Sequence, residues 1–206
     1  NYEILQIDLK QGDIDWRYIH SSPALAFDGT SALTFSDGVI YGGFGAGKIV
    51  AVHQKSGAFI WEANISQVKG STDIDRLNDV LSKPIINDSE VYAVSTSGDL
   101  TAIDRTDASI TWTRKISSFN NIVFDGFDIY LTHKSDSLYS LDPKNNGKTN
   151  WRNADLQYRR ITNPIITGDY IVVGDFDGYI HLLNSETGVV EGRAQITSGV
   201  PIGKNI

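Results

Sequence analysis

The stretch AVHQKSGAFIW, residues 51–61, contains the pattern that decides the fold of this chain. A small or apolar pair and a polar residue lead into a short turn ending in Gly57, and Trp61 follows four residues later. Four further versions are QIDLKQGDIDW (6–16), AIDRTDASITW (102–112), SLDPKNNGKTNW (140–151) and LLNSETGVVEG (182–192). Their turn residues Gly12, Gly57, Ala108, Gly147 and Gly188 lie 45, 51, 39 and 41 positions apart. A period of about forty residues is typical of four-stranded β-propeller blades.

The remainder of each period consists of short apolar runs separated by turn dipeptides. The clearest runs are 39–41, 91–94, 129–131 and 170–173, and the turns before them contain Asp-Gly, Asn-Asp or Gly-Asp pairs. Runs of this length and composition are typical of β-strands, and no window shows a sustained helical period. The sequence therefore predicts an all-β chain, a β-propeller of four-stranded antiparallel blades, with four complete blades and two partial ones.

The phase of the repeat also predicts where each blade begins and ends. We expect residues 1–206 to form a single partial propeller. Its complete blades are 21–66, 82–117, 118–153 and 160–196, with the end of a blade at 1–20 and the start of another at 199–206. An open propeller leaves unpaired edges and bare apolar faces. We therefore expect another piece of protein, or a second copy of the fragment in a homodimer, to cover the open ends.

The repeated aromatic residues are predicted to be structural. Trp16, Trp61, Trp112 and Trp151 should lie on the outermost strand of each blade and pack onto the next blade. An aromatic of this size buries about 150–250 Å². The polar residues of the motif should accept hydrogen bonds from the turn that follows them. These residues are Asp8, His53, Asp104, Asp142 and Asn184.

Composition excludes several classes of function. The net charge is −7 and the 18 basic residues form no run, so the chain lacks the electrostatic footprint of a nucleic-acid-binding protein. It has 0 Cys, which excludes a disulfide scaffold and a thiolate metal site. The longest apolar runs fall well short of the roughly 20 residues that span a bilayer.

The repeats, of the form A-x-D-x-x-x-G-x-x-x-W, resemble those of quinoprotein-type propellers. Two segments narrow the resemblance to the BamB family of outer-membrane β-barrel assembly lipoproteins: GSTDIDRLNDV (70–80) and PALAFDGTSA (23–32). The resemblance covers nearly the whole chain and corresponds to the C-terminal half of an eight-bladed propeller. It implies a non-catalytic periplasmic scaffold of the BAM complex that binds the POTRA domains of BamA. It also implies attachment to the outer membrane through a lipid anchor that this chain does not contain.

The same resemblance places the partner-binding residues in two loops. They are Leu25, Phe27 and Asp28 in the first loop and Arg76 and Asp79 in the second. Phe27 stands where the family pattern has Leu, Asp28 where it has Arg, and Leu81 where an acidic residue is common. An Arg–carboxylate contact with BamA therefore cannot form at Asp28. The second loop lies in an insertion, residues 66–83, whose stretch 72–81 could form a short amphipathic helix.

Apparent catalytic motifs are explained better as turns. Residues 42–48, GGFGAGK, resemble a phosphate-binding loop, but Ile49 replaces the Mg²⁺-binding hydroxyl residue and a strand should follow. Residues 175–178, DFDG, lack the downstream Glu of a Ca²⁺ loop. The four His residues have no metal-ligand spacing. We therefore expect no catalytic residue, no metal and no cofactor.

Two other functions stay open on the sequence. A fragment of a dehydrogenase dependent on pyrroloquinoline quinone (PQQ) would share the blade repeat, but needs a Trp stacked on the cofactor and a carboxylate cluster for Ca²⁺. Dye reduction in the presence of Ca²⁺ and the quinone would distinguish this enzyme from a scaffold. A propeller that binds peptides by strand addition at an open edge is the other alternative.

Overall fold

The computed structural model describes residues 2–21, 31–65, 79–96, 98–198 and 200–202. The chain divides into two compact units, Asn1–Thr113 and Arg114–Ile206. The described residues form antiparallel β-sheets, and their helical content is limited to two 3-10 turns, Gly45–Gly47 and Pro143–Asn145. The prediction of an all-β chain built from four-stranded antiparallel sheets is confirmed.

The first unit contains three sheets in chain order. A two-stranded sheet pairs β1 (Tyr2–Ile7) with β2 (Ile14–His20). The second sheet contains β3 (Thr34–Ser36), β4 (Val39–Phe44), β5 (Lys48–His53) and β6 (Phe59–Asn64). The third contains β7 (Ile85–Ile86), β8 (Glu90–Val94), β9 (Asp99–Asp104) and β10 (Ile110–Lys115), whose last two residues lie past the unit boundary. Each four-stranded sheet pairs its strands in chain order.

The second unit repeats this arrangement in two further sheets. One contains β11 (Val123–Phe124), β12 (Ile129–Thr132), β13 (Leu138–Asp142) and β14 (Lys148–Asn153). The other contains β15 (Ile165–Thr167), β16 (Tyr170–Gly174), β17 (Tyr179–Asn184) and β18 (Val190–Gln195). Strand order again follows the chain, as expected for hairpin-connected strands.

The repeated motif forms the last hairpin of each sheet. The polar residue of the motif accepts hydrogen bonds from the turn, as predicted: Asp8 Oδ1 from Lys10 N at 2.6 Å, and Asn184 Oδ1 from Glu186 N at 3.0 Å. In the second sheet Ala51 pairs with Trp61 but Val52 pairs with Phe59, so a β-bulge precedes the Trp. The same shift occurs in the first, fourth and fifth sheets. An extra residue on one strand increases the local twist, which aims the indole over the neighbouring sheet.

Apolar side chains fill the space between successive sheets of one unit. In the first unit, one cluster joins the second and third sheets around Tyr41, Ile49, Trp61, Val91 and Ile103. Another joins the first and second sheets through Ile4, Phe44, Val50 and Val52. In the second unit the core includes Tyr130, Leu138, Trp151, Ile171 and Leu183. Successive sheets of one unit thus bury apolar side chains between them.

Several local predictions can be compared with these elements. Residues 42–48 form the hairpin between β4 and β5, and residues 175–178 form the turn between β16 and β17, as expected. Asp79, Val80 and Leu81, the end of the predicted helix 72–81, lie outside any helix, and the rest of that stretch lies outside the described residues. The sequence predicts the start of a blade at residues 199–206. Of these, residues 200–202 form no strand, and residue 199 and residues 203–206 lie outside the described residues.

Candidate partner-binding loops

The two loops predicted to bind a partner connect successive sheets of the first unit. Leu25, Phe27, Asp28 and Arg76 lie outside the described residues, whereas Asp79 and the chain on either side of each loop are described. The first loop leaves the end of β2 and returns at Ser31; the second leaves the end of β6 and returns at Asp79. The positions of these end points can therefore be compared directly.

Both loops return to the second sheet at Gly43, near the end of β4. The Ser31 hydroxyl accepts a hydrogen bond from Gly43 N at 2.6 Å. Val80 lies against the same glycine: a Cβ built on Gly43 would be 2.5 Å from Val80 Cγ1 and 2.7 Å from Val80 O. Val80 N also donates to Phe44 O at 3.1 Å. Only a residue without a side chain allows this close approach, so Gly43 brings the ends of the two loops together.

Asp79 lies beneath the surface at this junction. Its exposed fraction is 1%, and its carboxylate Oδ1 accepts a hydrogen bond from Ala46 N at 3.0 Å. Ala46 has a left-handed backbone, φ +58°, in the 3-10 turn between β4 and β5. The sequence predicts Asp79 as a partner-binding residue, and in the structure its carboxylate is buried.

The backbone of Asp79 ties the second loop to the third sheet as well. Asp79 N donates to Thr96 Oγ1 at 3.2 Å, and Thr96 N donates to Asp79 O at 3.0 Å. Thr96 lies in the turn between β8 and β9, so the loop end is held by hairpins of two successive sheets. Long loops whose ends are fixed by a rigid scaffold are a common location for binding residues.

A charged cluster lies at the base of the first loop. His20, the last residue of β2, is 7% exposed, and its Nδ1 lies 3.7 Å from Glu62 Oε2. Lys48 Nζ contacts Glu62 Oε1 at 2.6 Å, and the His20 ring packs on Phe44 at 4.9 Å between centroids. Burial lowers the pKa of His20 below its usual value, with Glu62 acting in the opposite direction and Lys48 in the same one. The loop therefore begins at a His that favours its neutral form.

The indoles of the motif join successive sheets within each unit. Trp16 Nε1 donates to Gln54 O at 2.9 Å, Trp61 Nε1 to Arg105 O at 2.9 Å, and, in the second unit, Trp151 Nε1 to Ser185 O at 2.7 Å. Each acceptor is the residue after the polar position in the next sheet's motif. Trp112, whose indole is buried, packs on Tyr92 with ring centroids 5.9 Å apart.

Arg105 is a structural residue that the sequence analysis did not single out. Its guanidinium bonds to Asp37 Oδ2 at 2.7 Å and to the carbonyl oxygens of Asn87 and Asp88 at 3.1 Å, and it lies over the Tyr41 ring. It therefore joins the β3–β4 turn to the β7–β8 turn. The hydrogen bond from Arg105 is also the main reason why the pKa of Asp37 is lowered. The residue type at this position differs among the copies of the motif, so the repeat does not predict a role for Arg105.

No arrangement for quinone or metal chemistry is found in the part of the chain that the structure describes. Within those residues no group of three His, Cys, Asp or Glu side chains could hold a metal ion. Each Trp lies on the last strand of a sheet and packs against other protein groups. These residues do not fit the cofactor site that a PQQ-dependent dehydrogenase requires. The described residues also include no helix that is long and apolar enough to span a membrane.

The chain combines four-stranded antiparallel sheets with a repeat of about forty residues, and Trp16, Trp61 and Trp151 each bond to the next sheet. These features define a quinoprotein-type β-propeller. The family model for outer membrane protein assembly factor BamB matches residues 1–153. The chain belongs to this family, which confirms the resemblance seen in the sequence.

Relatives and solved structures agree with this assignment. BamB of Yersinia pestis is 39% identical over 177 residues, which are 86% of this chain and 45% of that protein. BamB of Escherichia coli is 37% identical over 176 residues, 85% of this chain and 45% of that protein. The crystal structure of BamB from Moraxella catarrhalis matches with a TM-score of 0.85 and 30% identity, covering 96% of this chain and 59% of that chain. The chain thus spans about half the length of the curated relatives it matches.

A solved dehydrogenase structure shares the fold alone. A europium-containing methanol dehydrogenase matches with a TM-score of 0.77 at 13% identity, covering 95% of this chain and 48% of that chain. Identity at this level carries no function. The named relatives are assembly factors, and this chain is grouped with them and not with the enzymes.

Proposed function

We propose that this chain is part of a non-catalytic scaffold for outer-membrane protein assembly. In this proposal it belongs to the BAM complex and binds the POTRA domains of BamA through the loops 22–30 and 66–78. The full-length protein acts in the periplasm, held at the outer membrane by a lipid anchor. The family membership supports the assembly role, because the matched relatives are named outer membrane protein assembly factors.

The observation that carries the proposal is the junction at Gly43. Ser31 ends the first loop and bonds to Gly43 N, while Val80 ends the second loop and packs on the same residue. Two loops that are separated by a whole sheet in the sequence therefore return to one point. A partner that contacts one loop near its C-terminal end can reach the other at the same time.

The residues of the two loops divide into two roles. Leu25 and Phe27 supply apolar contact area, and Arg76 supplies a cation. The acidic side chain at Asp28 cannot make the Arg–carboxylate contact of the family pattern, so these other residues carry the interaction. In this proposal Asp79, whose carboxylate accepts a hydrogen bond from Ala46 N, positions the second loop for the partner.

A titration of the full-length protein with the periplasmic domains of BamA tests this function. Arg76→Glu is expected to weaken binding about tenfold or more, because a charged contact becomes a repulsive one. Lys55→Glu is the matched control: it makes the same charge change in the exposed turn between β5 and β6, at the opposite end of the second sheet. Equal affinity of the wild-type protein and the Arg76→Glu variant would refute the proposed contact.

A further inference from the structure

A group of arginines and aromatic rings lies at one end of the last sheet in the second unit. We define this arginine–aromatic patch as Tyr158, Arg159, Arg160, Phe176, Tyr179 and Arg193. Tyr158 is 85% exposed and Phe176 is 48% exposed. The first three residues belong to the connection between β14 and β15. That connection occupies the same place in its repeat as the two loops of the first unit.

The backbone of this connection is held in a defined and uncommon conformation. Tyr158 and Arg160 both have left-handed backbones, with φ of +64° and +51°. The Asp136 carboxylate accepts hydrogen bonds from Arg160 N at 3.0 Å and from Ile161 N at 3.2 Å, and Phe176 N donates to Arg159 O at 3.0 Å. Left-handed residues without glycine persist where surrounding contacts impose them, and they concentrate at binding sites. The exposed side chains are thus presented by a fixed backbone.

Arg159 is the half-buried support of the patch. Its Nε lies 2.7 Å from Asp175 Oδ2, and its Nη2 lies 3.0 Å from Asp177 Oδ2. Asp175 is fully buried and also contacts His181 Nε2 at 2.7 Å. Burial by itself raises the pKa of Asp175, but the hydrogen bonds from His181, Tyr179 N and Arg159 outweigh it and hold the pKa below its usual value. Arg159 therefore has its carboxylate partners already.

Arg160 and Arg193 have a different environment. The Arg160 guanidinium lies 4.9 Å from the centre of the Phe176 ring, and the Arg193 guanidinium lies 4.5 Å from the centre of the Tyr179 ring. Both side chains belong to exposed residues, and neither has a carboxylate partner among the residues that the structure describes. A guanidinium held over an aromatic ring can still donate its N–H groups to a carboxylate.

The composition of the patch favours a protein partner. Tyr, Phe and Arg are enriched at protein–protein interfaces and among the residues that dominate binding energy. The exposed carboxylate of Asp177, which is bonded to Arg159 of the patch, would repel a ligand with many phosphates. A single carboxylate flanked by apolar groups avoids that repulsion, because it can bind Arg160 while its neighbours cover Tyr158 and Phe176.

We propose that the arginine–aromatic patch is a second protein-binding surface, which takes an extended polypeptide segment carrying an Asp or Glu beside apolar or aromatic residues. This surface is independent of the loops 22–30 and 66–78, and its partner is defined by chemistry alone. The carboxylate binds Arg160, and the flanking apolar side chains pack on Tyr158 and Phe176.

The test uses the full-length protein and two labelled synthetic peptides, measured by fluorescence anisotropy. One peptide carries a single Glu between Phe and Leu, and the other has Gln in place of that Glu. The Glu peptide is expected to bind about tenfold more tightly than the Gln peptide, which is the effect of one charge-assisted contact. Arg160→Gln should abolish that difference, and Tyr158→Ala should weaken both peptides. Phe127→Ala, which removes an exposed ring in the turn between β11 and β12 at the opposite end of its sheet, is the control.

Other outcomes overturn the proposal. They are equal affinity for the two peptides, no binding of either, or binding that Arg160→Gln leaves unchanged. Preferential binding of anionic phospholipid vesicles or of an oligonucleotide, lost in Arg160→Gln, would identify a different class of ligand and would also overturn it. Thermal unfolding of each variant checks that the fold is retained.

Discussion

The Asp79 carboxylate links the end of the second loop to the turn between β4 and β5. Its Oδ1 is the acceptor for Ala46 N, in a turn where both Ala46 and Gly47 have left-handed backbones. Loss of the acceptor of an N–H group that is shielded from water lowers the free energy of unfolding, because no water replaces the hydrogen bond. The second loop and the β4–β5 hairpin therefore depend on one another at this residue.

Replacing this carboxylate should lower stability and binding together. Asp79→Ala is expected to reduce the free energy of unfolding by about 1–3 kcal/mol, measured by urea denaturation, because Ala46 N is left without an acceptor. Asp79→Asn keeps an oxygen at the same place and should lose clearly less. Equal losses for the two variants, or none for either, would show that this hydrogen bond does not hold the loop.

His20 makes the stability of the first unit depend on pH. Burial lowers its pKa in the folded state below the ordinary value of about 6.5. Between these two values the unfolded chain binds a proton that the folded chain does not bind. The stability is thus fully present above pH about 6.5 and decreases as the pH falls towards the lower, folded-state pKa.

A comparison of unfolding free energies at neutral and mildly acidic pH measures this effect. The wild-type protein should lose stability on acidification, and His20→Gln should lose less. Burial, Lys134 and Arg152 also lower the pKa of His133 in the second unit, so part of the pH dependence should survive in the variant. An unchanged pH dependence in His20→Gln would mean that this His does not contribute.

At the scale of the elements, the last hairpin of the second sheet and that of the fifth sheet are each shaped to receive the indole of the sheet before them. Gly57, in the turn between β5 and β6, has φ +65°, and a Cβ built there would lie 2.7 Å from Trp16 Cδ2. The same relation exists between Gly188 and Trp151 in the second unit. The Gly of the motif thus serves both the left-handed turn and the packing of the preceding Trp.

Two glycine substitutions separate these effects. Gly38→Ala, in the turn between β3 and β4, meets no atom within 4 Å and should cost only the left-handed conformation, about 1–2 kcal/mol. Gly57→Ala should cost about 1–3 kcal/mol more, because its Cβ would displace the Trp16 ring. Urea denaturation of both variants measures the difference. Equal costs would show that the indole does not press on this turn.

The strands could be predicted from the sequence because they repeat. The period of about forty residues, the turn dipeptides and the Gly-to-Trp spacing are all local features that survive divergence between copies. The contacts that join one sheet to another could not be predicted in the same way. Arg105 bonds to Asp37, and Gly43 meets Val80, across large sequence separations and at positions where the copies differ.

At the scale of the whole molecule, the sequence predicts which loops bind a partner, and the structure shows how the ends of these loops are held. The resemblance places the proposed partner-binding residues in two loops, and Asp79 is among them. Burial of Asp79 depends on the β4–β5 turn that it supports, which no local pattern reveals. The arginine–aromatic patch was also missed, because Arg160 and Phe176 are brought together only by the fold.

The proposed role depends on loops that are held by the sheets and contact a partner directly. A photo-crosslinking amino acid placed at Phe27 in the full-length protein tests this contact, with the same amino acid at Lys55 as the control. Irradiation of the assembled complex should crosslink position 27, and not position 55, to the periplasmic domains of BamA. Crosslinking from position 55 alone, or from neither position in a complex that still forms, would contradict the proposed role of the loops.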